Sequence, residues 1–415
     1  MVLNYIWISF FIVAFLVALY KTINGDFEIF SLVVNSIFER AELGFKLSLG
    51  LTGIMALWLG IMRIGEKGGA IHILSRIFSP LFNKLFPEIP KDSKAHGSII
   101  MNISANMLGL DNAATPLGLK AMGELQKHNT EKTKASNAQI LFLVLNTSGL
   151  TLIPTSIIAL RATAMTDNDI SGTATDIFIP ILIATYCSTL AGLIFVSIVQ
   201  KINLFQKTIL AYLGSATALI GGLIWYLAIH KDQIEIISSV VSGAFIFGFI
   251  IGFILLGLRS KINIYDEFIE GAKDGFTVAV KIIPYLIAML CAIGAFTTSG
   301  AMSFIIEGIE SFFGLFLTDT RFVDALPTAI MKPLSGGGAR GMMVESWGEN
   351  AAQINSFVGR LTSTLQGSTE TTFYVLAVYF GSIGVKNTRY AIVAGLFADL
   401  IGVIAAIIVA YLFWG

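Results

Sequence analysis

Residues 238–258 read SSVVSGAFIFGFIIGFILLGL, and residues 390–413 read YAIVAGLFADLIGVIAAIIVAYLF. As a helix rising about 1.5 Å per residue, each run covers the roughly 30 Å hydrocarbon core of a bilayer. Backbone in that core must satisfy its own N–H and C=O groups, so both runs read as membrane-spanning helices. Working outward, apolar runs recur at about 4–20, 44–62, 138–165, 176–200, 208–230, 276–300 and 354–381. That predicts about nine full spans. The whole chain is 55% hydrophobic and 13% charged, with a mean hydropathy of +0.78. Soluble domains carry about 25% charged residues, so too few charges are present to coat solvated faces. The expected fold class is an all-α polytopic membrane protein.

Two further segments, about 97–122 and 325–345, are apolar but short and rich in Gly, Pro, Ser and Asn. They read as broken, hairpin-like helices. Ile71 to Phe86 has the apolar spacing of a helix lying in the membrane interface, with Pro80 expected to kink or restart it. The first run, Tyr5 to Tyr20, lacks a basic leader and a small-residue cleavage site, so it reads as a retained span. Net charge is zero, with 27 basic and 27 acidic residues, which argues against nucleic acid as a partner. The expected partners are the lipid bilayer and a small-molecule solute, with further copies of the chain as a homo-oligomer. Cys187 and Cys291 lie inside apolar runs, and His72, His96, His128 and His230 are scattered, so no metal site is expected. No nucleophile–base motif is present, and the chain reads as a non-enzyme.

Basic residues favour cytoplasmic loops. Segments 63–96 and 120–134 carry ten Lys and Arg, whereas 166–176 holds Asp167, Asp169 and Asp176 without a cation. The resulting topology has the N-terminus cytoplasmic and the C-terminus outside, in the cell's inner (plasma) membrane. The chain divides into units 1–200 and 237–415, joined by a linker over 201–236 that holds one extra span. Both units run through spans, a broken segment and a polar-interrupted span in the same order. The extra span inverts the second unit. Inverted repeats of this kind place a solute site near the membrane midplane, where the units meet.

Polar residues concentrate in four places. The first broken segment holds Asn102, Ser104, Asn106, Asp111, Asn112, Thr115 and Pro116. Pro116 fits the first turn of a new helix running to about Gln126, with Asp111, Asn112 or Thr115 as its cap. The second broken segment holds Ser335, Gly336, Gly337, Gly338 and Arg340. Its glycines let backbone amides approach a ligand, and the Arg340 fork suits a carboxylate or phosphate. At membrane depth Arg340 is functional; at the interface it is an anchor. The interrupted spans contribute Asn146, Thr147 and Ser148, and Gln366, Ser368, Thr369 and Glu370. Glu370 has three candidate roles: taking a coupling proton, helping to bind a cation, or pairing with Arg340. No cofactor is expected beyond a coupling Na+ or H+.

These residues also carry a resemblance. NISANMLGLDNAATPLGLKAMGELQ (102–126) resembles the bacterial spore maturation protein A family. PTAIMKPLSGGGARG (327–341) and LQGSTETTFYVLAVYFGSIGVKNTRYA (365–391) resemble spore maturation protein B. The chain is therefore similar to a fusion of the two, within a family named for a nucleoside-recognition, or Gate, domain. That family is similar to segments of concentrative nucleoside transporters, and its implied role in spore formers is dehydration of the spore core. Residues and resemblance together predict a secondary transporter of a small polar or anionic solute, either nucleoside-like or a carboxylate. The alternative is a non-transporting membrane sensor or scaffold subunit of the spore-maturation type.

Overall fold

The computed structural model describes residues 2–90, 92–108, 111–230 and 233–415, and no strand forms among them. Helix α1 (Val2–Ile23) leads into α2 (Ile29–Lys67), α3 (Ala70–Leu85), α4 (Lys94–Met107) and α5 (Asp111–His128). Then come α6 (Asn137–Thr147), α7 (Thr155–Asp167) and α8 (Phe178–Gln200). Helices α9 (Lys207–Ile229) and α10 (Ile234–Arg259) connect to the second series. That series is α11 (Ile264–Thr298), α12 (Ala301–Gly314), α13 (Leu326–Met331) and α14 (Gly336–Ser346), then α15 (Phe357–Ser368), α16 (Thr372–Ser382) and α17 (Ala391–Trp414).

From α2 and from α11 onward the two series match element for element. Each begins with a long helix that stops at a left-handed glycine, Gly69 (φ +89°) or Gly300 (φ +91°). An amphipathic helix, α3 or α12, follows, and then a helical hairpin, α4–α5 or α13–α14. Next is a short helix capped by a serine. Ser136 accepts from Gln139 N–H at the start of α6, and Ser356 accepts from Gly359 N–H at the start of α15. After a break come α7 or α16, and finally the long apolar helix α8 or α17.

The matching helices meet antiparallel. A Cβ on Gly44 would touch Ile287, one on Gly275 would touch Ala56, and one on Gly294 would touch Arg40, so α2 and α11 run in opposite directions. Likewise Gly192 faces Ala398 while Gly402 faces Ser188, which makes α8 and α17 antiparallel. The outer helices are exchanged: α1 packs on α11, and α10 packs on α2. This is the geometry an inverted repeat requires.

Among the described residues, six helices are long and apolar enough to cross a membrane in one piece, or seven if the pair bent by 68° at Ser299–Gly300 counts as one. Two expected spans differ from their sequence reading. Residues 138–165 form α6 and α7, and residues 354–381 form α15 and α16, so each is a pair of short helices around a break. Two others extend well beyond their apolar cores. Helix α2 has 39 residues, about 58 Å of helix. Charged residues such as Arg40 delayed the expected start at 44, yet Arg40 is satisfied within the protein by Glu345 on α14 at 2.8 Å. Helix α3 runs through Pro80 without a restart. Helix α5 already begins at Asp111, so Pro116 falls in its second turn and Thr115 is not its cap.

The α2–α11 contact depends on small residues. Gly271 and Gly275 lie one turn apart, and a Cβ on either would sit 2.4 Å from Leu59 O or 2.6 Å from Ala56 Cα. Gly275→Ala therefore forces the backbones apart and is expected to cost about 1–3 kcal/mol. Thermal unfolding in detergent checks this against Gly243→Ala on α10, where a methyl would meet nothing within 4 Å. Equal unfolding temperatures for the two variants would remove the close packing argument.

Candidate functional site

The site is built on the two breaks. Helix α6 ends because Gly149 adopts a left-handed backbone (φ +64°) and Pro154 has no N–H to continue the ladder. Helix α15 ends because Thr369 is extended, at φ −148° and ψ 174°. The breaks touch: Glu370 N–H donates to the Thr147 carbonyl at 2.8 Å, across the two units. Each break is also tied to its own unit's hairpin. Leu152 N–H donates to Met107 O at 2.8 Å, and Phe373 N–H donates to Pro333 O at 3.0 Å. Backbone groups freed by unwinding are thus met by protein, the condition for irregular backbone at membrane depth.

Beside this crossing lies a cavity of about 260 Å3, lined by both units. Asn106, Thr115, Asn146, Gly336, Arg340, Gln366, Thr369 and Glu370, all singled out from sequence, line it. An amide network supports its wall. Asn106 Nδ2 donates to Asn146 Oδ1 at 2.7 Å, and the Tyr379 hydroxyl donates to the same oxygen at 3.3 Å. Asn146 Nδ2 donates to Phe142 O at 2.8 Å, which fixes the amide's orientation. Gln366 Nε2 donates to Gly336 O at 3.3 Å, leaving its buried Oε1 without a hydrogen-bond partner.

Other residues from the sequence reading sit behind the wall or serve the backbone. Asn102 is buried, holding Ala114 O at 2.7 Å and the Tyr379 hydroxyl at 3.4 Å. It lies one helical turn from Asn106, and the cluster 102–106 is regular helix where a break was expected. Ser104 is also buried. The hydroxyls of Thr147, Ser148 and Ser368 donate to carbonyls three residues earlier. Ser335 caps α14, accepting from Gly338 N–H at 3.0 Å, while Gly337 is not in the wall. The side chains of Asp111 and Asn112 lie outside the described residues.

Lys332, Thr155, Ser156, Thr371, Tyr374 and Tyr379 also line the cavity, and the sequence reading did not select them. Lys332 could have been found: it is a lysine between Met331 and Pro333 in an apolar segment, the same signal that selected Arg340. It is 7% exposed. Tyr379 carries no local signal, because an aromatic in an apolar run is ordinary; only its stacking on Phe142, with centroids 5.8 Å apart, aims its hydroxyl at the amides. Two cationic side chains and one acidic one thus share a small polar-walled volume with amides and hydroxyls. Such a wall suits a small solute with a negative group and several hydrogen-bonding atoms. Among the described residues no group of three His, Cys, Asp or Glu is placed to hold a metal ion.

The ends of the crossing are closed differently. Where α7 and α15 leave together, Arg161 is fully buried. It donates to Ile354 O at 2.9 Å, Ser363 Oγ at 3.3 Å, Asp176 Oδ1 at 3.0 Å and Asn355 Oδ1 at 3.2 Å. Arg360 Nε donates to Asp176 Oδ2 at 2.8 Å. At the opposite end, by α6 and α16, backbone groups pair and Arg389 Nη1 donates to Ala135 O at 3.1 Å and Asn137 Oδ1 at 2.9 Å. Ala135 N–H donates to Asn387 O at 2.9 Å, and Lys386 N–H donates to Thr133 O at 2.8 Å.

The two matching series agree with comparison to known proteins. A family model described as nucleoside recognition, the Gate family, matches residues 48–164 and again 279–386, together more than half of the chain. Spore maturation protein A of Bacillus subtilis (strain 168) is 40% identical over 191 residues, covering 46% of this chain and 92% of that protein. Spore maturation protein B of the same organism is 43% identical over 169 residues, covering 40% of this chain and 90% of its own length. Two nearly full-length relatives that each match under half of the chain are what a fusion produces. The chain is a multi-pass helical membrane protein that belongs to the Gate, or nucleoside-recognition, family, and it is related to both spore maturation proteins.

Proposed function

We propose that the chain is a secondary transporter of a small polar anion or nucleoside-like solute, with its site in the cavity beside the two crossed breaks. The observation that carries this reading is the Glu370–Thr147 backbone bond, which joins both units' breaks at one polar volume. Breaks placed at the interface of inverted repeats suit alternating access, because one unit can rock against the other around a fixed site. The volume falls just under the roughly 300–1,000 Å3 of drug-sized pockets, so the solute is of metabolite size. In this reading the protein sits in the inner membrane with its N-terminus cytoplasmic, works without chemical conversion of its solute, and uses Arg340 and Lys332 to hold the negative group.

The test is thermal unfolding of the detergent-purified protein against nucleosides, nucleobases, dicarboxylates and amino acids, each with sodium and with potassium. A compound present at 100 times its Kd stabilises the folded state by about 2.7 kcal/mol. Arg340→Ala is expected to weaken a responding anion by about 10- to 100-fold, the worth of a charge-assisted hydrogen bond. Asn146→Ala should weaken it too, by releasing Asn106 and Tyr379. Uptake of that compound into liposomes then establishes transport. Binding without flux would favour the sensor reading, and a panel without any response would sink the proposed site.

A further inference from the structure

One buried carboxylate stands outside the cavity wall. Asp399 is the one charged residue of α17, and it is 4% exposed. Its Oδ2 accepts a hydrogen bond from Thr372 Oγ1 at 2.7 Å, while its buried Oδ1 has no hydrogen-bond partner. The backbone around it is shaped for close approach. A Cβ on Gly395, one turn before, would lie 2.9 Å from Thr372 Cγ2 and 3.5 Å from Thr147 Oγ1. A Cβ on Gly402, just under a turn later, would lie 2.8 Å from Thr369 Cγ2 and 3.1 Å from Ser188 Cβ. These two glycines let both breaks settle against α17 around the carboxylate.

An ionised carboxylate with one empty oxygen is costly in such a site, and a neutral carboxyl costs much less. The charged groups acting on it are Lys332, from the α13–α14 turn, and Glu370, from the second break; both also line the cavity. Its uncharged polar neighbours are Thr372, the donor to Oδ2, and Thr369, whose hydroxyl also acts on the carboxyl; Thr147 and Ser188 pack one turn away, against Gly395 and Gly402.

We infer that Asp399 is a proton-binding site, the proton residing on Oδ1, and that its occupancy governs the break that carries Thr369 and Glu370. With the proton in place, the neutral carboxyl keeps Thr372 as its donor and the break stays docked on α17. Once the proton leaves to water, the bare anion draws the nearest donors, Lys332 among them, and loosens the cavity wall that Lys332 shares with Glu370. Coupling to solute movement rests on the transport reading above; the proton site itself does not.

The test is infrared difference spectroscopy of the full chain in lipid as pH is stepped, the probe being the proton alone. The carbonyl stretch of a protonated carboxyl should appear on acidification, vanish in Asp399→Asn and persist in Glu370→Gln. Thr372→Val, which leaves the carboxylate in place, should keep the band but move it to higher frequency, because the hydrogen bond on Oδ2 is gone. A band unchanged in Asp399→Asn, or unmoved in Thr372→Val, would overturn the assignment. The ligand panel decides the transport reading separately, so either idea can fail alone.

Discussion

Asp176→Ala is expected to lower stability by about 3–5 kcal/mol, the usual result of removing one partner from a buried ion pair. Asp176 is the carboxylate between two guanidiniums, at 3.0 Å from Arg161 Nη2 and 2.8 Å from Arg360 Nε. Arg161 has no exposure to solvent and cannot turn outward to find water once its carboxylate is gone. The other groups it holds are the Ile354 carbonyl, Ser363 and Asn355, all from the second unit, so the loss spreads to the contact between units. The measurement is thermal unfolding in detergent. The double variant Arg161→Met with Asp176→Leu should recover part of the loss, because it removes the fully buried charge and leaves only Arg360, which is 19% exposed, without its carboxylate. A single variant as stable as the parent would show that the cluster is solvated and does not clamp the two units.

The second large effect is expected at Gly149. Its backbone is left-handed (φ +64°), which costs an alanine about 1–2 kcal/mol. An added Cβ would also lie 2.9 Å from the Glu370 nitrogen and 3.0 Å from the Thr369 carbonyl carbon. Those are backbone atoms and cannot swing aside as a flexible side chain can. Gly149→Ala is therefore expected to destabilise by about 2–5 kcal/mol in total and to weaken solute binding as the crossing opens. Gly123→Ala, on α5 with nothing within 4 Å of the added methyl, is the matched control. Unfolding curves of both variants, with and without a stabilising compound from the panel, check strain and binding together. If the two variants unfold alike, the breaks do not touch as closely as described.

The two ends of the crossing bear on how such a protein would work. Exchanging the units swaps α6 with α15 and α7 with α16, so the backbone at one end is equivalent to that at the other. The side chains are not. One end is held by a buried Arg–Asp–Arg cluster, the other by backbone hydrogen bonds between residues 133–135 and 386–387 and by the Arg389 side chain on Ala135 O and Asn137. A pair of related units thus presents two ends of similar shape but different chemistry, and the two need not open with equal ease.

Much of the architecture was legible because hydropathy and glycine- and proline-rich breaks are local, whereas the serine caps of α6 and α15 went unread. A window of twenty residues suffices to recognise α10 or α17, since burying apolar surface and pairing backbone within one helix needs no distant partner. The same local signals marked both broken segments and both interrupted spans, and the order of these signals marked the two related units. They also set the starts of α2 and α11 too late, because charged residues near a helix end look like a loop until their partners are known. Arg40 finds Glu345 305 residues away.

What only the tertiary structure decided was which polar side chains face the cavity. Asn102 and Asn106 look alike in sequence, yet the first is consumed by Ala114 and Tyr379 while the second reaches the wall. Tyr379 becomes a site residue through Asn146, 233 residues away, and Arg161 becomes a clamp through Asn355, 194 residues away. Asp399 is one acid in an apolar helix until Thr372 and two glycines enclose it. Helix formation is determined within a few residues of the chain. Whether a polar group meets a neighbour, a cavity or nothing is determined by packing between units, and that is written in no single stretch of sequence.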